Sequence, residues 1–188
     1  MKSDQQEAFE KALASTLVRV VDYLKFAETK NAALLTFSSA WIVGSINLLL
    51  KADSLPPEWR VAFATVLPIF VVSAFAALYS FLPKTILGSF HKDPEQAKSL
   101  LYFGDIATFA PAAYKERVRE RYYPPEGHTS TQNYLDDLSI QIAVTSQITT
   151  RKLKIFNFGA VVLFVALCVL AVPAIGSLYS TIHALTGK

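Results

Sequence analysis

The sequence predicts an all-α membrane protein, with three transmembrane helices and a cytosolic helical domain. The first supporting observation is an apolar run, Phe156–Tyr179, whose 24 residues include no charged side chain. A helix of that length covers about 36 Å, enough to cross a hydrocarbon core of about 30 Å. The second is composition: 52% of the residues are apolar and mean hydropathy is +0.33, yet 18% are charged. Membrane helices combined with a polar domain fit both values.

The first segment, residues 1–31, is predicted to be a cytosolic amphipathic helix. Its apolar residues recur at spacings of three and four, which places them on one narrow face. A face of this kind resembles a coiled-coil seam and is expected to need a partner helix. The residues of this seam are Phe9, Leu13, Leu17, Val20, Leu24 and Ala27.

The first transmembrane helix is predicted at residues 32–50, and no Gly or Pro before Gly44 interrupts the helix that leads into it. It is the most polar of the three apolar runs. Ala40 and Gly44, at helical spacing, are expected to permit close contact with another helix. Asn47 is expected to bond a neighbouring helix rather than to line a water path.

The second transmembrane helix is predicted at residues 61–82 and contains Pro68, which is expected to kink it. The third is predicted at residues 155–180, directly after a basic run, and leaves a short non-cytosolic tail at 181–188.

Residues 83–154 are predicted to form the larger part of the cytosolic helical domain. The last predicted helix of this block runs without Gly or Pro into the third span, and its apolar face is the natural partner of the N-terminal seam. The predicted elements are a helix that begins at Asp93, an ambiguous stretch at Leu100–Phe109, a helix at Pro111–Tyr123, a loop at Glu126–Thr131 and a helix at Gln132–Lys154.

The distribution of basic residues predicts the orientation. Of the 18 Lys and Arg residues, all but Lys51, Arg60 and Lys188 fall in residues 1–31 and 83–154. Because basic residues accumulate on the cytosolic side, the N-terminus is expected in the cytosol and the C-terminus outside.

Enzyme chemistry finds little support in the sequence. The three His residues are isolated, so no metal site is expected, and Cys168 lies inside an apolar run. Asp136 and Asp137 diverge by about 100° on a helix, which is more typical of a solvated turn than of an acid–base pair. No catalytic residue and no cofactor is predicted, and a net charge of +3 indicates no nucleic-acid partner.

Arg117, Arg119 and Arg121 alternate with Glu116 and Glu120 on a predicted helix. A solvated, salt-bridged helix face is one interpretation. The other is a phosphate-binding site, because the arginine fork matches phosphate oxygens and nearby aromatic rings could stack on a base. The candidate ligand-binding residues are Arg117, Arg119, Arg121, Tyr114, Tyr102 and Asp105.

Four charged residues lie where the predicted cytosolic helices meet the membrane: Glu28, Lys30, Arg151 and Lys152. They are expected either to anchor the interface or to couple the cytosolic domain to the spans.

Three motifs follow one another along the chain: A-E-T-K at Ala27–Lys30, LLYFGDIATF at Leu100–Phe109 with Tyr114 following, and the helix YLDDLSIQI to SQITTRKLK at Tyr134–Lys154. These motifs resemble the transmembrane effector family of bacterial Pycsar anti-phage systems. Asn31 departs from the small residue expected after the lysine. Together the motifs cover most of the chain in matching order.

The resemblance implies an effector that answers a cyclic pyrimidine mononucleotide, cUMP or cCMP, made by a partner cyclase on phage infection. It implies that the effector damages the bacterial inner membrane, so that the infected cell stops growing or dies. Because three spans are too few to enclose a channel, a homo-oligomer is expected. The alternative function is a membrane scaffold that recruits a cytosolic partner through the N-terminal seam.

Overall fold

The computed structural model describes residues 2–51, 55–82, 100–101 and 103–187. Its helices are α1 (Lys2–Leu50), α2 (Pro57–Phe81), α3 (Phe103–Ile106), α4 (Pro111–Tyr122) and α5 (Gln132–Thr186), and these described ranges contain no strand. Three of them, α1, α2 and α5, are long and apolar enough to cross a membrane. The all-α class and the three membrane-length helices are therefore confirmed.

The two long predicted helices are unbroken, as the absence of early Gly and Pro indicated. α1 continues through the predicted boundary at residue 31, and α5 continues from Gln132 into the last apolar run and through Pro173. α2 likewise continues through Pro68. The helix expected to begin at Asp93 lies outside the described residues.

The chain divides into two compact units. The first, here called the polar unit, comprises Met1–Phe26 and Leu82–Thr150. The second, here called the three-helix unit, comprises Ala27–Phe81 and Arg151–Lys188. α1 and α5 each contribute residues to both units.

In the polar unit, the chain turns sharply between α4 and α5. Pro111 starts α4, where its missing N–H costs nothing, and Pro124 follows the C-cap residue Tyr123. Thr131 then caps α5, because its Oγ1 accepts a hydrogen bond from the N–H of Tyr134 at 3.2 Å. The same hydroxyl donates to the carbonyl of Arg121 at 3.2 Å, which links the end of α4 to the start of α5.

The N-terminal seam from Phe9 to Leu24 belongs to the same unit as the first part of α5, whereas its last residue, Ala27, belongs to the three-helix unit. Leu13, Leu17, Val20 and Leu24 are partly buried, whereas Phe9 is exposed and lies outside the packed face. On α5, Leu135 and Leu138 are buried. The stretch Leu100–Phe109, ambiguous in sequence, contains the single turn α3 followed by turns that end at Phe109.

The three-helix unit has an apolar core between its helices, in which Trp41 stacks on Phe70 with ring centroids 5.5 Å apart. This apolar core comprises Ala62, Phe63, Val66, Phe70, Ala166 and Leu170. The expected close contact at Ala40 and Gly44 is not made within the part of the chain that the structure describes. Ala40 is exposed, and a Cβ on Gly44 would meet nothing within 4 Å.

The close approach occurs at Gly159 instead, where a Cβ would lie 2.7 Å from Cδ2 of Leu34. Asn47, expected to bond a neighbouring helix, is exposed. That role falls to Ser38 and Ser73, whose hydroxyl oxygens are 3.0 Å apart. In the predicted first span, the polar residues that are buried are therefore Ser38 and Ser45, while Asn47 faces outward.

Candidate functional site

The best-defined polar cluster of the polar unit joins α4 to α5. Arg121 donates from Nε to Oδ2 of Asp137 at 2.8 Å and from Nη2 to Oδ1 at 2.9 Å. The hydroxyl of Tyr122 donates to the same Oδ2. Asp137 is buried, so the expectation that the Asp136–Asp137 pair forms a solvated turn is wrong for Asp137. It holds for Asp136, which is exposed and bonds Gln132.

This arrangement shifts the ionisation of all three groups. Burial disfavours the charged form of Asp137, but the hydrogen bonds from Arg121 and Tyr122 outweigh it and lower the pKa of the carboxyl. Burial, followed by the bond to Asp137, raises the pKa of the Tyr122 phenol. The bond to Asp137 also raises the pKa of Arg121. The cluster is therefore a charged pair with a neutral phenol over the neutral pH range.

The predicted ligand-binding residues of α4 divide between two faces. Tyr114, Arg117 and Arg121 are spaced by three and four residues and share one face of the helix. Arg119 lies about 200° around the helix from both neighbouring arginines, so the three guanidinium groups do not converge. In the described part of the chain, Arg119 is exposed and has no ion-pair partner.

The remaining members of the predicted set lie before α4. The hydroxyl of Tyr114 donates to the carbonyl of Leu100 at 2.9 Å, and its ring lies 6.3 Å from that of Phe109. Asp105 is in α3, where its carbonyl accepts a bond from the hydroxyl of Thr108 at 2.7 Å. Tyr102 lies outside the described residues. Tyr114 thus connects the segment around α3 to the face that carries Arg117.

Arg117 and Arg121 differ in what they are free to bind. Arg117 pairs with Glu120 at 2.6 Å, but both side chains are more than half exposed, and exposed pairs of this kind contribute about 0–1 kcal/mol. Arg121 is held at two points by a buried carboxylate. An incoming anion would compete easily for Arg117 and poorly for Arg121.

A second charged cluster lies at one end of the three-helix unit and contains the four predicted boundary residues. Nζ of Lys152 pairs with Oε1 of Glu28 at 3.0 Å. Nζ of Lys30 lies 5.1 Å from the ring centroid of Phe156. Each of these two contacts joins α1 to α5.

Two further cation–ring contacts connect α5 to α2 in this cluster. The guanidinium of Arg151 lies 5.3 Å from the ring centroid of Tyr79, and Nζ of Lys152 lies 5.7 Å from that of Phe81. The structure thus adds aromatic partners on α2 that the sequence did not indicate. Such contacts stabilise by about 0.5–1 kcal/mol when exposed and more when desolvated.

Asn31 joins α1 to α5 at this cluster, a contact that the sequence did not indicate. Its side chain is fully buried, and Nδ2 donates to the carbonyls of Ala27 at 2.9 Å and of Lys152 at 3.2 Å. A polar residue four positions after Ala27, in line with the apolar seam, was the signal that could have identified it. The part of the chain that the structure describes contains no group of three or more His, Cys, Asp or Glu side chains placed to hold a metal.

Comparison with known proteins identifies the family. A family model described as the Pycsar effector protein domain, PycTM, matches residues 12–179. The chain belongs to the Pycsar effector family. It is similar to the "Pycsar effector protein RsPycTM" of a Rhizobium species, with 41% identity over 164 residues, 87% of this chain and 93% of the relative. No solved structure matches.

The family match confirms the resemblance seen in the sequence and implies a role in anti-phage defence. The matched residues of this Pycsar effector extend from α1 to the last turns of α5, so they include both charged clusters. The family, together with the three membrane-length helices, supports a location in a membrane.

Proposed function

We propose that this Pycsar effector responds to a cyclic pyrimidine mononucleotide, cUMP or cCMP, by disrupting the bacterial inner membrane and arresting or killing the infected cell. The nucleotide would be made by a partner cyclase. One combination of features carries the proposal. This member of the family has a polar unit with an exposed arginine, Arg117, and a second unit with three membrane-length helices.

The ligand is assigned to the face of α4 that carries Tyr114 and Arg117. A cyclic mononucleotide presents one phosphate with a single negative charge, which a guanidinium binds through two parallel hydrogen bonds. Its pyrimidine is a flat ring that can stack on tyrosine. Arg117 is exposed and weakly paired, whereas Arg121 keeps its carboxylate partner and orients the face.

The response is assigned to the two helices that contribute to both units, α1 and α5. A ligand shifts an equilibrium between two states only by its difference in affinity for them. Binding on α4 would change the packing next to Asp137 of α5, and the Lys152–Glu28 pair lies further along the same helices. The four boundary residues would couple nucleotide binding to the spans.

The proposed arrangement places the polar unit and the N-terminus in the cytosol and the C-terminus outside, because the basic residues are concentrated in residues 1–31 and 83–154. The membrane-disrupting form is proposed to be a homo-oligomer, since three helices leave no room for a channel between them. Neither catalysis nor a cofactor is needed for this activity.

Dye release from liposomes that contain the purified full-length protein tests the proposal. Release should follow addition of cUMP or cCMP and stay at background with cAMP. Arg117→Ala should raise the nucleotide concentration needed for half-maximal release at least about tenfold, the loss of about 1.4 kcal/mol of binding.

Arg119→Ala is the matched control, because Arg119 is on the same helix but on the other face. It should leave the response within about twofold of the unmodified protein, a change of about 0.4 kcal/mol. Release that does not depend on the nucleotide contradicts gating. Equal effects of the two variants contradict the assigned face.

A further inference from the structure

Small and polar residues recur every seven positions on the inner faces of the three-helix unit. On α1 they are Asn31, Ser38 and Ser45, and on α2 they are Ser73 and Ser80; all five are buried. Seven residues correspond to nearly two turns of helix, about 10.5 Å, so the residues of each set lie above one another on one face. The interior of this unit therefore contains polar layers inside an apolar bundle.

The middle layer is closed by hydrogen bonds. Ser73 donates to the carbonyl of Gly159 at 3.0 Å, and the hydroxyl of Ser38 lies 3.0 Å from that of Ser73. With Ser73 donating to Gly159, Ser38 donates to Ser73. One residue from each of α1, α2 and α5 is thereby joined, and the three groups satisfy one another without water.

The neighbouring layer contains Asn31 and Ser80. Ser38 of α1 bonds Ser73 of α2. Trp41, three residues after Ser38, stacks on Phe70, three residues before Ser73. The two helices are therefore antiparallel. Asn31, seven residues before Ser38, consequently lies level with Ser80, seven residues after Ser73.

Lys152 supports this placement independently. Its carbonyl accepts a bond from Asn31, while its Nζ lies over the ring of Phe81, the residue next to Ser80.

Two polar atoms of this layer have no partner among the described residues, Oδ1 of Asn31 and Oγ of Ser80. Exchanging the oxygen and nitrogen of the Asn31 amide does not help, because Nδ2 already donates to two carbonyls that cannot donate in return. Leaving a buried acceptor or hydroxyl without a partner costs about 1–3 kcal/mol each. Two such atoms at one level form a site for a group that can both donate and accept.

We propose that this layer binds internal water at Oδ1 of Asn31 and Oγ of Ser80. Water can donate one hydrogen to the amide oxygen and exchange a second hydrogen bond with the hydroxyl, which satisfies both atoms. A cation fits the site poorly, because the nearby carboxylate, Glu28, is already paired with the ammonium of Lys152. The middle layer separates this water from the more distant Ser45.

A consequence follows that rests on the proposed function. Water at the Asn31–Ser80 layer is where the three-helix unit would begin to hydrate when the effector is triggered. Breaking the Ser38–Ser73–Gly159 layer would let that water advance along the polar residues. The resting water site itself does not depend on nucleotide gating.

Water-edited solid-state NMR of the full-length protein in lipid bilayers, without nucleotide, tests the site. Magnetisation should pass from water to Asn31 and Ser80 severalfold faster than to two buried controls. These controls are Ala77, one turn away from Ser80 on α2, and Ser73, in the closed layer. Build-up at Asn31 and Ser80 as slow as at Ala77 overturns the proposal, whatever the outcome of the dye-release experiment.

Two variants make the same measurement specific. Ser80→Ala should slow the transfer to Asn31, and Asn31→Leu should slow the transfer to Ser80, with circular dichroism confirming the helical content of each. The exposed Ser39→Ala, next to Ser38 on α1, should change neither rate. Fast transfer to Asn31 that persists in Ser80→Ala contradicts a water shared by the two side chains.

Discussion

Arg121 meets Asp137 at two points, with Nε and Nη2 donating to the two carboxylate oxygens at 2.8 and 2.9 Å. The Arg121 side chain is about one-third exposed and the Asp137 side chain is 9% exposed. This pair closes the turn between α4 and α5. Arg121, one of the three arginines of α4, therefore stabilises the polar unit. The stability of that unit should depend on it.

Arg121→Ala should lower the free energy of unfolding by about 2–4 kcal/mol, because it leaves a buried carboxylate with Tyr122 as its remaining described side-chain donor. Arg119→Ala should change it by less than about 0.5 kcal/mol, since Arg119 is exposed. Thermal unfolding of both variants in detergent provides the measurement. Equal stability of Arg121→Ala and Arg119→Ala would show that the pair contributes nothing.

The stability of the polar unit should fall in acid. The pKa of Asp137 is lowered in the folded protein from its ordinary value of 3.8, so its contribution is present above that value and is lost as the pH falls through the lower, folded one. Melting curves recorded between neutral pH and about pH 2 should show this loss below about pH 4. The control, Asp137→Asn, should start less stable at neutral pH and lose less on acidification.

Gly159 should tolerate alanine better than leucine. A Cβ there meets the end of the flexible Leu34 side chain, which can rotate away, and alanine favours helix by about 1 kcal/mol. Leucine would also press on Ala76 and on the Ser73 carbonyl, and should destabilise by about 1–3 kcal/mol. Gly176→Leu is the matched control, because a Cβ at Gly176 meets nothing within 4 Å. A melting temperature of Gly159→Leu equal to that of Gly176→Leu would contradict close packing at Gly159.

The Lys152–Glu28 pair should respond unequally to removal of its two partners. The Lys152 side chain is 14% exposed and that of Glu28 is 47% exposed, so Glu28→Gln strands the more buried charge. We expect Glu28→Gln to destabilise by about 1 kcal/mol more than Lys152→Gln, as measured by thermal unfolding. Lys154→Gln, on an exposed neighbour, controls for loss of basic charge. The opposite order would show that Glu28, not Lys152, is the partner that needs neutralising.

The sequence predicted the elements set by local pattern. The long apolar run at Phe156–Tyr179 and the absence of early Gly and Pro determined the spans and the unbroken α1 and α5, because both follow from helix length and helix breakers. The four boundary residues are recognisable in sequence because they lie beside the apolar runs. The family followed from motifs spread along the chain, which the comparison then confirmed.

Contacts between helices were not predictable in the same way. Gly44 and Gly159 read alike in sequence, and only the packing of α1, α2 and α5 places Gly159 at the close approach. Asp136 and Asp137 are likewise adjacent and identical, yet the turn after α4 brings Arg121 to Asp137 alone. The face that a helix turns toward its neighbour depends on how the helix is rotated about its own axis. The amphipathic pattern of a single helix does not determine that rotation.

The seven-residue spacing of the polar layers also limits how the length of this chain can change. One extra residue between Asn31 and Ser38 would turn the rest of α1 by about 100° and move Ser38 away from Ser73. Seven extra residues would restore the angle but lengthen the span by about 10.5 Å, beyond what the bilayer accommodates without tilt. Insertions and deletions should therefore be excluded from the inner stretches of α1, α2 and α5 in relatives that keep these layers. Length variation should fall instead where no layer is interrupted, as in the residues between α4 and α5.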